Sequence, residues 1–172
     1  GFAAVALSRM RKDATMLVLS GDQEVGETEK FVQSMKDAVR AAQSGPVLVP
    51  IGIKPTSPHT GYGYIETGEE VGIGKGVYRG VRFVEKPDVT SARKYLDAGN
   101  YYWNGGMFVW DVKTILSEFA RLQPLMYEKY VKIRDAIGTQ DEDQVKREMF
   151  EKLPRVSIDL AIMEQTDNTV VV

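Results

Sequence analysis

Cysteine is absent from the 172 residues, which excludes disulfides, thiolate nucleophiles and Cys-ligated zinc. No block of five or more like charges occurs, and Lys+Arg 22 against Asp+Glu 24 gives a net charge of −2. The usual footprint of a nucleic-acid or anionic-membrane partner is therefore missing. No apolar run approaches membrane-spanning length. The apolar opening Gly1–Leu7 is followed by Arg9, Arg11 and Lys12, the reverse of a signal peptide, whose charges precede its apolar core. These absences predict a cytoplasmic protein with a small-molecule ligand. The length and a 43% hydrophobic content suit a single domain, residues 1–172.

What is present has α/β order. Residues 2–11 read as a helix and Thr15–Leu19 as a buried strand, since a short continuous apolar run suits a strand covered on both faces. Phe31, Met35, Ala38, Val39 and Ala42 share one helical face, with Thr28 as N-cap and Gly45 as stop. A strand at Val47–Ile53 follows. Helix, strand, helix, strand with short links predicts a parallel sheet. The glycine-rich stretch Pro55–Gly80, interleaved with tyrosines and aliphatics, predicts hairpins at one rim of that sheet. Thr90 is a candidate cap for a helix ending at Gly99, Met107–Trp110 reads as a strand, and Asp111 as the cap of Val112–Arg121. Pro124 opens a further helix that Gly138 ends. Asp141–Lys152 reads as an exposed helix, and Ser157 caps a last short one. The uncapped helix at residue 2 and the β-branched run at Val170–Val172 predict neighbouring strands outside the chain. An open sheet edge of that kind predicts a homo-oligomer.

The densest signal lies in Val81–Trp110. The strand Val81-Arg82-Phe83-Val84 ends in Glu85-Lys86-Pro87, where proline closes the strand after placing a carboxylate and an ammonium at its end, and strand ends are where α/β sheets bind ligands. Glu85 and Lys86 face opposite sides of a regular strand and reach one ligand only if Pro87 ends it with a twist; otherwise they form a surface ion pair. Lysine is a phosphate point charge, and a carboxylate can accept two sugar hydroxyls. Asn104 offers donors and an acceptor to hydroxyls, and Gly105 and Gly106 admit close backbone approach, or the three form a plain turn. Tyr101, Tyr102, Trp103 and Trp110 either wall a sugar pocket or pack the core. Gly61 and Gly63 alternate with tyrosines as in a strand approached closely by other backbone. His59 reads as a turn residue. Gly72, Gly74 and Gly76 lack both the spacing and the following helix of a dinucleotide fingerprint.

Thr60-Gly61-Tyr62-Gly63-Tyr64-Ile65-Glu66, Phe83-Val84-Glu85-Lys86-Pro87, Tyr102-Trp103-Asn104-Gly105-Gly106-Met107-Phe108 and Ser157-Ile158-Asp159, in this order and after Leu19-Ser20-Gly21-Asp22, resemble the mannose-1-phosphate guanylyltransferases. The resemblance runs from about Leu17 to Glu164. It implies an α/β fold with a Rossmann-like mixed sheet of the nucleotide-diphospho-sugar transferase type, truncated at its N-terminus. It also implies the reaction of mannose 1-phosphate with GTP to give GDP-mannose and pyrophosphate, assisted by Mg²⁺. The family's Gly-rich phosphate loop with its Arg is absent, as is its later Gly-Trp-Ser-Asp-type segment with a second metal carboxylate. GTP is therefore expected to bind only with a further N-terminal part, and the isolated chain to be inactive.

The site implied by the resemblance consists of Gly61, Tyr62, Gly63, Glu85, Lys86, Asn104 and Asp159 for the sugar phosphate, with Asp22 as metal ligand. Asp22 stands where the family's Leu-Pro-Ala/Ser-Asp-His turn reads Leu19-Ser20-Gly21-Asp22-Gln23, and equally suits an Asx-turn. Asp159 suits the first turn of a helix through the macrodipole alone. Two other readings stay open: a non-catalytic sugar-phosphate-binding or assembly module, and an enzyme acting on glucose 1-phosphate.

Overall fold

A computed structural model describes residues 1–11 and 13–172; Lys12, one of the cations of the opening segment, lies outside them. The element order is α1 (Phe2–Met10), β1 (Thr15–Val18), α2 (Thr28–Ser44), β2 (Val49–Ile53), β3 (Tyr64–Glu70), β4 (Tyr78–Val84), α3 (Val89–Ala98), β5 (Tyr101–Asp111), α4 (Val112–Leu122), α5 (Pro124–Ala136), α6 (Glu142–Glu151), a π-helical turn (Asp159–Met163) and β6 (Val170–Val171). The backbone forms two compact units, one of residues 1–16 and 111–166, the other of 17–110 and 167–172. Among the described residues no helix is long and apolar enough to cross a membrane.

The first unit is helical. Ala4 and Val5 of α1, Ile115 and Phe119 of α4, Tyr130 and Ile133 of α5 and Met149 of α6 are buried together with the apolar side of the π-helical turn. Pro124 occupies the first turn of α5, where its missing N–H costs nothing. The second unit is the sheet. Its strand order is β1-β5-β3-β4-β6, with β2 also pairing β5. The core packs Met35, Ala38, Ala41 and Ala42 of α2 against Val49, Ile51, Val77, Met107, Val109 and Val170, as the helical spacing of α2 predicts.

The expectation of a parallel sheet is corrected. The β2–β5, β3–β4, β3–β5 and β4–β6 pairs are antiparallel, and an isolated bridge between Leu48 and Thr169 is parallel. The sheet is mixed but dominated by antiparallel pairs. Because β4 and β5 both run antiparallel to β3, they run the same way with β3 between them. The α3 crossover therefore joins parallel strands that are not neighbours, and element order alone cannot distinguish this from adjacent parallel pairing. For the same reason the β3–β4 hairpin is interior to the sheet rather than at its rim. β1 is also not the central strand expected: it ends the strand order, and Leu17 and Leu19 remain 45% and 50% exposed.

Local signals shift by a residue or two. Thr28 is the first residue of α2, with Glu27 at the cap position, and Gly45 is extended rather than left-handed. Asp111 precedes α4 but spends its carboxylate on the Thr15 hydroxyl, 2.6 Å away. The cap of α3 is Asp88, which accepts from the Ser91 N–H at 2.9 Å, and Gly99 ends that helix at φ 75°. The Ser91 bonds hold the Asp88 carboxyl below its ordinary range. A depressed folded value contributes stability above the unfolded pKa and loses it as pH falls through the folded one. Asp88→Ala is therefore expected to lower Tm at pH 7, with the deficit shrinking below about pH 4. Melts of both proteins across pH 2.5–7 check it, and a deficit that persists unchanged at the acid end rules out the cap.

Candidate functional site

The antiparallel register brings three of the four sequence motifs together. Tyr64 at the start of β3 faces Val84 at the end of β4 on one side and Trp103 of β5 on the other. One residue further, Gly63 must lie beside Glu85 and Asn104. The Asn104 N–H donates to the Gly63 carbonyl at 2.8 Å. A Cβ on Gly63 would stand 2.6 Å from Glu85 Oε2, 3.3 Å from the Phe83 ring and 3.4 Å from Asn104 Cβ. Glycine is thus what leaves room for the Glu85 carboxylate beside the backbone just before β3, near Asn104.

The turn after β4 answers whether Glu85 and Lys86 can act together. Lys86 has φ 44°, the one positive value among described non-glycine residues. This breaks the strand's alternation, and Lys86 Nζ lies 2.5 Å from Glu85 Oε1. The Glu85 side chain is 16% exposed and that of Lys86 62%. Such a backbone conformation costs an L-residue roughly 1–2 kcal/mol, and strain of this kind collects at functional sites.

Asn104, Gly105 and Gly106 lie within β5, which extends from Tyr101 to Asp111, and its register with β2 shifts here, Gly105, Gly106 and Met107 standing opposite Ile51 alone. The two glycines serve the backbone. A Cβ on Gly105 would approach the Ile51 carbonyl to 2.9 Å, and Gly106 has φ 66°. The segment after β1 packs on this stretch: Gln23 Nε2 donates to the Gly105 carbonyl at 2.6 Å and Ser20 Oγ to that of Gly106 at 3.3 Å. Asn104 Oδ1 accepts from the Gly106 N–H at 3.1 Å.

A cavity of about 490 Å³ opens here, lined by Gln23, Glu24, Ile53, Tyr62, Trp103, Asn104, Gly105 and Gly106. Tyr62 and Trp103 form its aromatic wall, ring centroids 5.1 Å apart, and His59 stacks on Tyr62 at 4.3 Å. The buried Nε1 of Trp103 has no hydrogen-bond partner. Tyr102, on the opposite strand face, stacks on Tyr78 and takes Lys54 over its ring, so it does not line the cavity. Tyr101 is core: its hydroxyl donates to Glu66 at 2.7 Å and accepts from Arg82 at 2.7 Å. Burial, then the Glu66 bond, push its phenol above the ordinary range. Trp110 is buried against Phe108.

Of the predicted residues, Tyr62 and Asn104 line the cavity, and Gly63 and Glu85 adjoin Asn104 with Lys86 bonded to Glu85. Gly61 lies under His59. Asp159 belongs to the helical unit, in the π-helical turn, where Ser157 Oγ accepts from the Leu160 N–H at 3.3 Å. Asp22 sits in an exposed turn. Among the described residues no group of three or more His, Asp or Glu is placed to hold a metal; Asp22 offers one carboxylate. Sequence reasoning did not single out Gln23, Glu24 or Ile53; only the position of Gln23 beside Asp22 could have signalled one of them. A larger cavity of about 700 Å³ in the helical unit, lined by Ser8, Arg9, Lys113, Ser117 and Arg134 among others, collects none of the predicted residues.

Comparison with known proteins shows the family. The chain is 40% identical over 172 residues to xanthan biosynthesis protein XanB of Xanthomonas campestris pv. campestris, covering 99% of this chain and 36% of that protein. It is 37% identical over 175 residues to a mannose-1-phosphate guanylyltransferase of Salmonella montevideo, covering 99% of this chain and 37% of the relative. The chain thus spans little more than a third of the length of these relatives. Among solved structures, one described as mannose-1-phosphate geranyltransferase from Thermus thermophilus superposes with a TM-score of 0.85 at 34% identity, over 99% of this chain and 48% of that one. Mannose-6-phosphate isomerase from Helicobacter pylori shares the fold, with a TM-score of 0.80 at 24% identity, over 100% of this chain and 67% of that one. The resemblance read from the four motifs is borne out. With the nucleotidyl transferase family model matching residues 2–149, the chain belongs to the nucleotidyl transferase family.

Proposed function

We propose that the cavity beside β5 is a sugar 1-phosphate site, that its ligand is mannose 1-phosphate, and that residues 1–172 form part of a mannose-1-phosphate guanylyltransferase catalytic domain. The observation that carries this reading is the meeting of Gly63, Glu85 and Asn104 at one register position, next to a Tyr62–Trp103 wall. A pyranose presents an apolar C–H face and a rim of hydroxyls. The aromatic wall suits the first, and the carboxylate and amide suit the second.

Lys86 is the phosphate group's partner in this scheme. Bonded to Glu85 and largely exposed, it can turn outward to a phosphate, whose roughly −1.5 to −2 charge competes well with one carboxylate. The Glu85 Oε1 that Lys86 leaves is then turned to sugar hydroxyls beside Asn104. The reaction of the whole enzyme is in-line attack of the sugar phosphate oxygen on the α-phosphorus of GTP, with pyrophosphate leaving. The contribution of these residues is to hold the attacking phosphate and orient it. Mg²⁺ would neutralise nucleotide phosphates in such chemistry, but Asp22 offers one carboxylate only, and no step here depends on it.

The 172-residue chain is expected to bind mannose 1-phosphate and to form no GDP-mannose from it with GTP, since no Gly-rich phosphate loop is among its residues. Calorimetry with mannose 1-phosphate and glucose 1-phosphate, beside a product assay, tests this. Tighter binding of glucose 1-phosphate would reassign the sugar, and no binding of either would refute the site. Turnover that scales with chain concentration would refute the expected inactivity.

A further inference from the structure

His59 is the one histidine of the sequence, and its contacts are more specific than a turn requires. Its Nδ1 accepts the Gly61 N–H at 3.0 Å. Its ring stacks on Tyr62, 4.3 Å between centroids with planes 21° apart, and meets the Trp103 ring edge-on at 6.4 Å. Its backbone carbonyl takes the Tyr64 hydroxyl at 2.9 Å. A Cβ on Gly61 would lie 2.9 Å from His59 Cε1, so the glycine is what lets the imidazole fold over the loop. Tyr62 itself is 45% exposed, and the described contacts that fix its ring are these two aromatic neighbours.

We propose that His59 is a positioning residue, which in its Nδ1-unprotonated form holds the Gly61 amide and the Tyr62 ring so that Tyr62 walls the cavity in front of Trp103 and Asn104. The proposal deepens the sugar 1-phosphate reading and rests on it for the ligand. The physical reason is the acceptor. Neutral imidazole with its proton on Nε2 can take the Gly61 N–H, whereas imidazolium carries a proton on both nitrogens and cannot. Among the described residues, the groups that meet the imidazole are the Gly61 N–H and the Tyr62 and Trp103 rings, while the Tyr64 hydroxyl bonds the backbone carbonyl of His59. A proton on Nδ1 therefore removes the acceptor for the Gly61 N–H and leaves only the stack on Tyr62.

Two variants separate the acceptor from the ring. His59→Asn keeps an acceptor for the N–H two residues on, the geometry of an Asx-turn, but neither titrates nor stacks. His59→Phe keeps the stack and loses the acceptor. In the full 172-residue chain, NMR at pH 8 is expected to show the Nε2–H tautomer. The Gly61 amide, the Tyr62 ring and the Trp103 indole are expected to shift on acidification with the midpoint of the imidazole. From pH 8 to pH 5, mannose 1-phosphate affinity is expected to fall three- to tenfold more in the natural chain than in His59→Asn. The ligand's own phosphate titrates near pH 6, but that change is common to both proteins and cancels in the comparison. His59→Phe is expected to bind three- to tenfold more weakly than the natural chain at pH 8. A neutral Nδ1–H tautomer, a Gly61 amide indifferent to the imidazole, or equal pH profiles in the natural chain and His59→Asn would overturn the proposal. If the loop titrates with His59 but mannose 1-phosphate fails to bind at pH 8, the hold on Tyr62 stands and the sugar reading falls.

Discussion

Lys86→Gly is expected to weaken mannose 1-phosphate binding ten- to a hundredfold while leaving the fold about as stable as before. The two halves of this result have separate causes. Lys86 adopts φ 44°, a conformation costing an L-residue roughly 1–2 kcal/mol that glycine avoids, against roughly 0.5–1 kcal/mol of extra unfolded-chain entropy for glycine. The Lys86–Glu85 pair, with the lysine 62% exposed, contributes only about 0–1 kcal/mol after solvent screening. These contributions nearly cancel, so stability gives no reason for a lysine at this position. A charge-assisted bond to phosphate is worth about 1.5–3 kcal/mol, and each 1.4 kcal/mol is about tenfold in affinity. Free mannose, which has no phosphate, should bind the variant almost as well as the natural chain. Calorimetry with both ligands and a thermal melt check all three quantities. Equal losses for the two ligands, or a melt lowered by many degrees with binding intact, would make Lys86 a structural residue.

The same turn marks the boundary of what the sequence discloses. Pro87 after Glu85-Lys86 signals that a strand ends there with charges at its tip, because proline's missing donor is a local property. The positive φ of Lys86 is not signalled, since only the packed turn demands it. Helix α2 was readable from the spacing of Met35, Ala38 and Ala42, and Gly99 as a stop from its left-handed preference, both again local. Strand direction is not local. A helix between two strands fixes that they run the same way, as β4 and β5 do, but not that β3 lies between them.

Length misled at β5. Asn104-Gly105-Gly106 has the composition of a turn, yet it lies within an eleven-residue strand, at the shift in its register with β2, where the Ile51 carbonyl passes where a Gly105 side chain would be. Glycine inside a strand signals such an approach, but does not name the partner. The aromatic wall was half legible: period-2 alternation separates Tyr102 from Trp103, and which of them faces the cavity depends on the register with β3. His59 carried no sequence signal beyond its place between Pro58 and Thr60, since its role depends on where Tyr62 and Trp103 meet. The order of the four motifs identified the family, and the antiparallel register explains why Gly63, Glu85 and Asn104, far apart in sequence, lie side by side.

Gly63→Ala tests that register directly and is expected to reduce affinity for mannose and mannose 1-phosphate alike by tenfold or more. The added Cβ would meet Glu85 Oε2 at 2.6 Å, the Phe83 ring at 3.3 Å and Asn104 Cβ at 3.4 Å. The carboxylate is the end of a flexible side chain and gives way first, leaving the position from which it reaches the hydroxyls. Phe83 is buried and Asn104 lies on β5, so neither moves freely, and overpacking is expected to cost roughly 1–3 kcal/mol of stability. Glu85→Asp shortens the side chain by one methylene and makes room. In the Gly63→Ala, Glu85→Asp double variant, stability is therefore expected to recover by about 1 kcal/mol or more relative to Gly63→Ala, a coupling that neighbouring residues show and distant ones do not. Affinity should not recover, because the shortened carboxylate no longer reaches the hydroxyls. Additive melts across the four proteins of this cycle would separate Glu85 from Gly63. Sugar affinity unchanged in Gly63→Ala would remove Glu85 from the hydroxyl site.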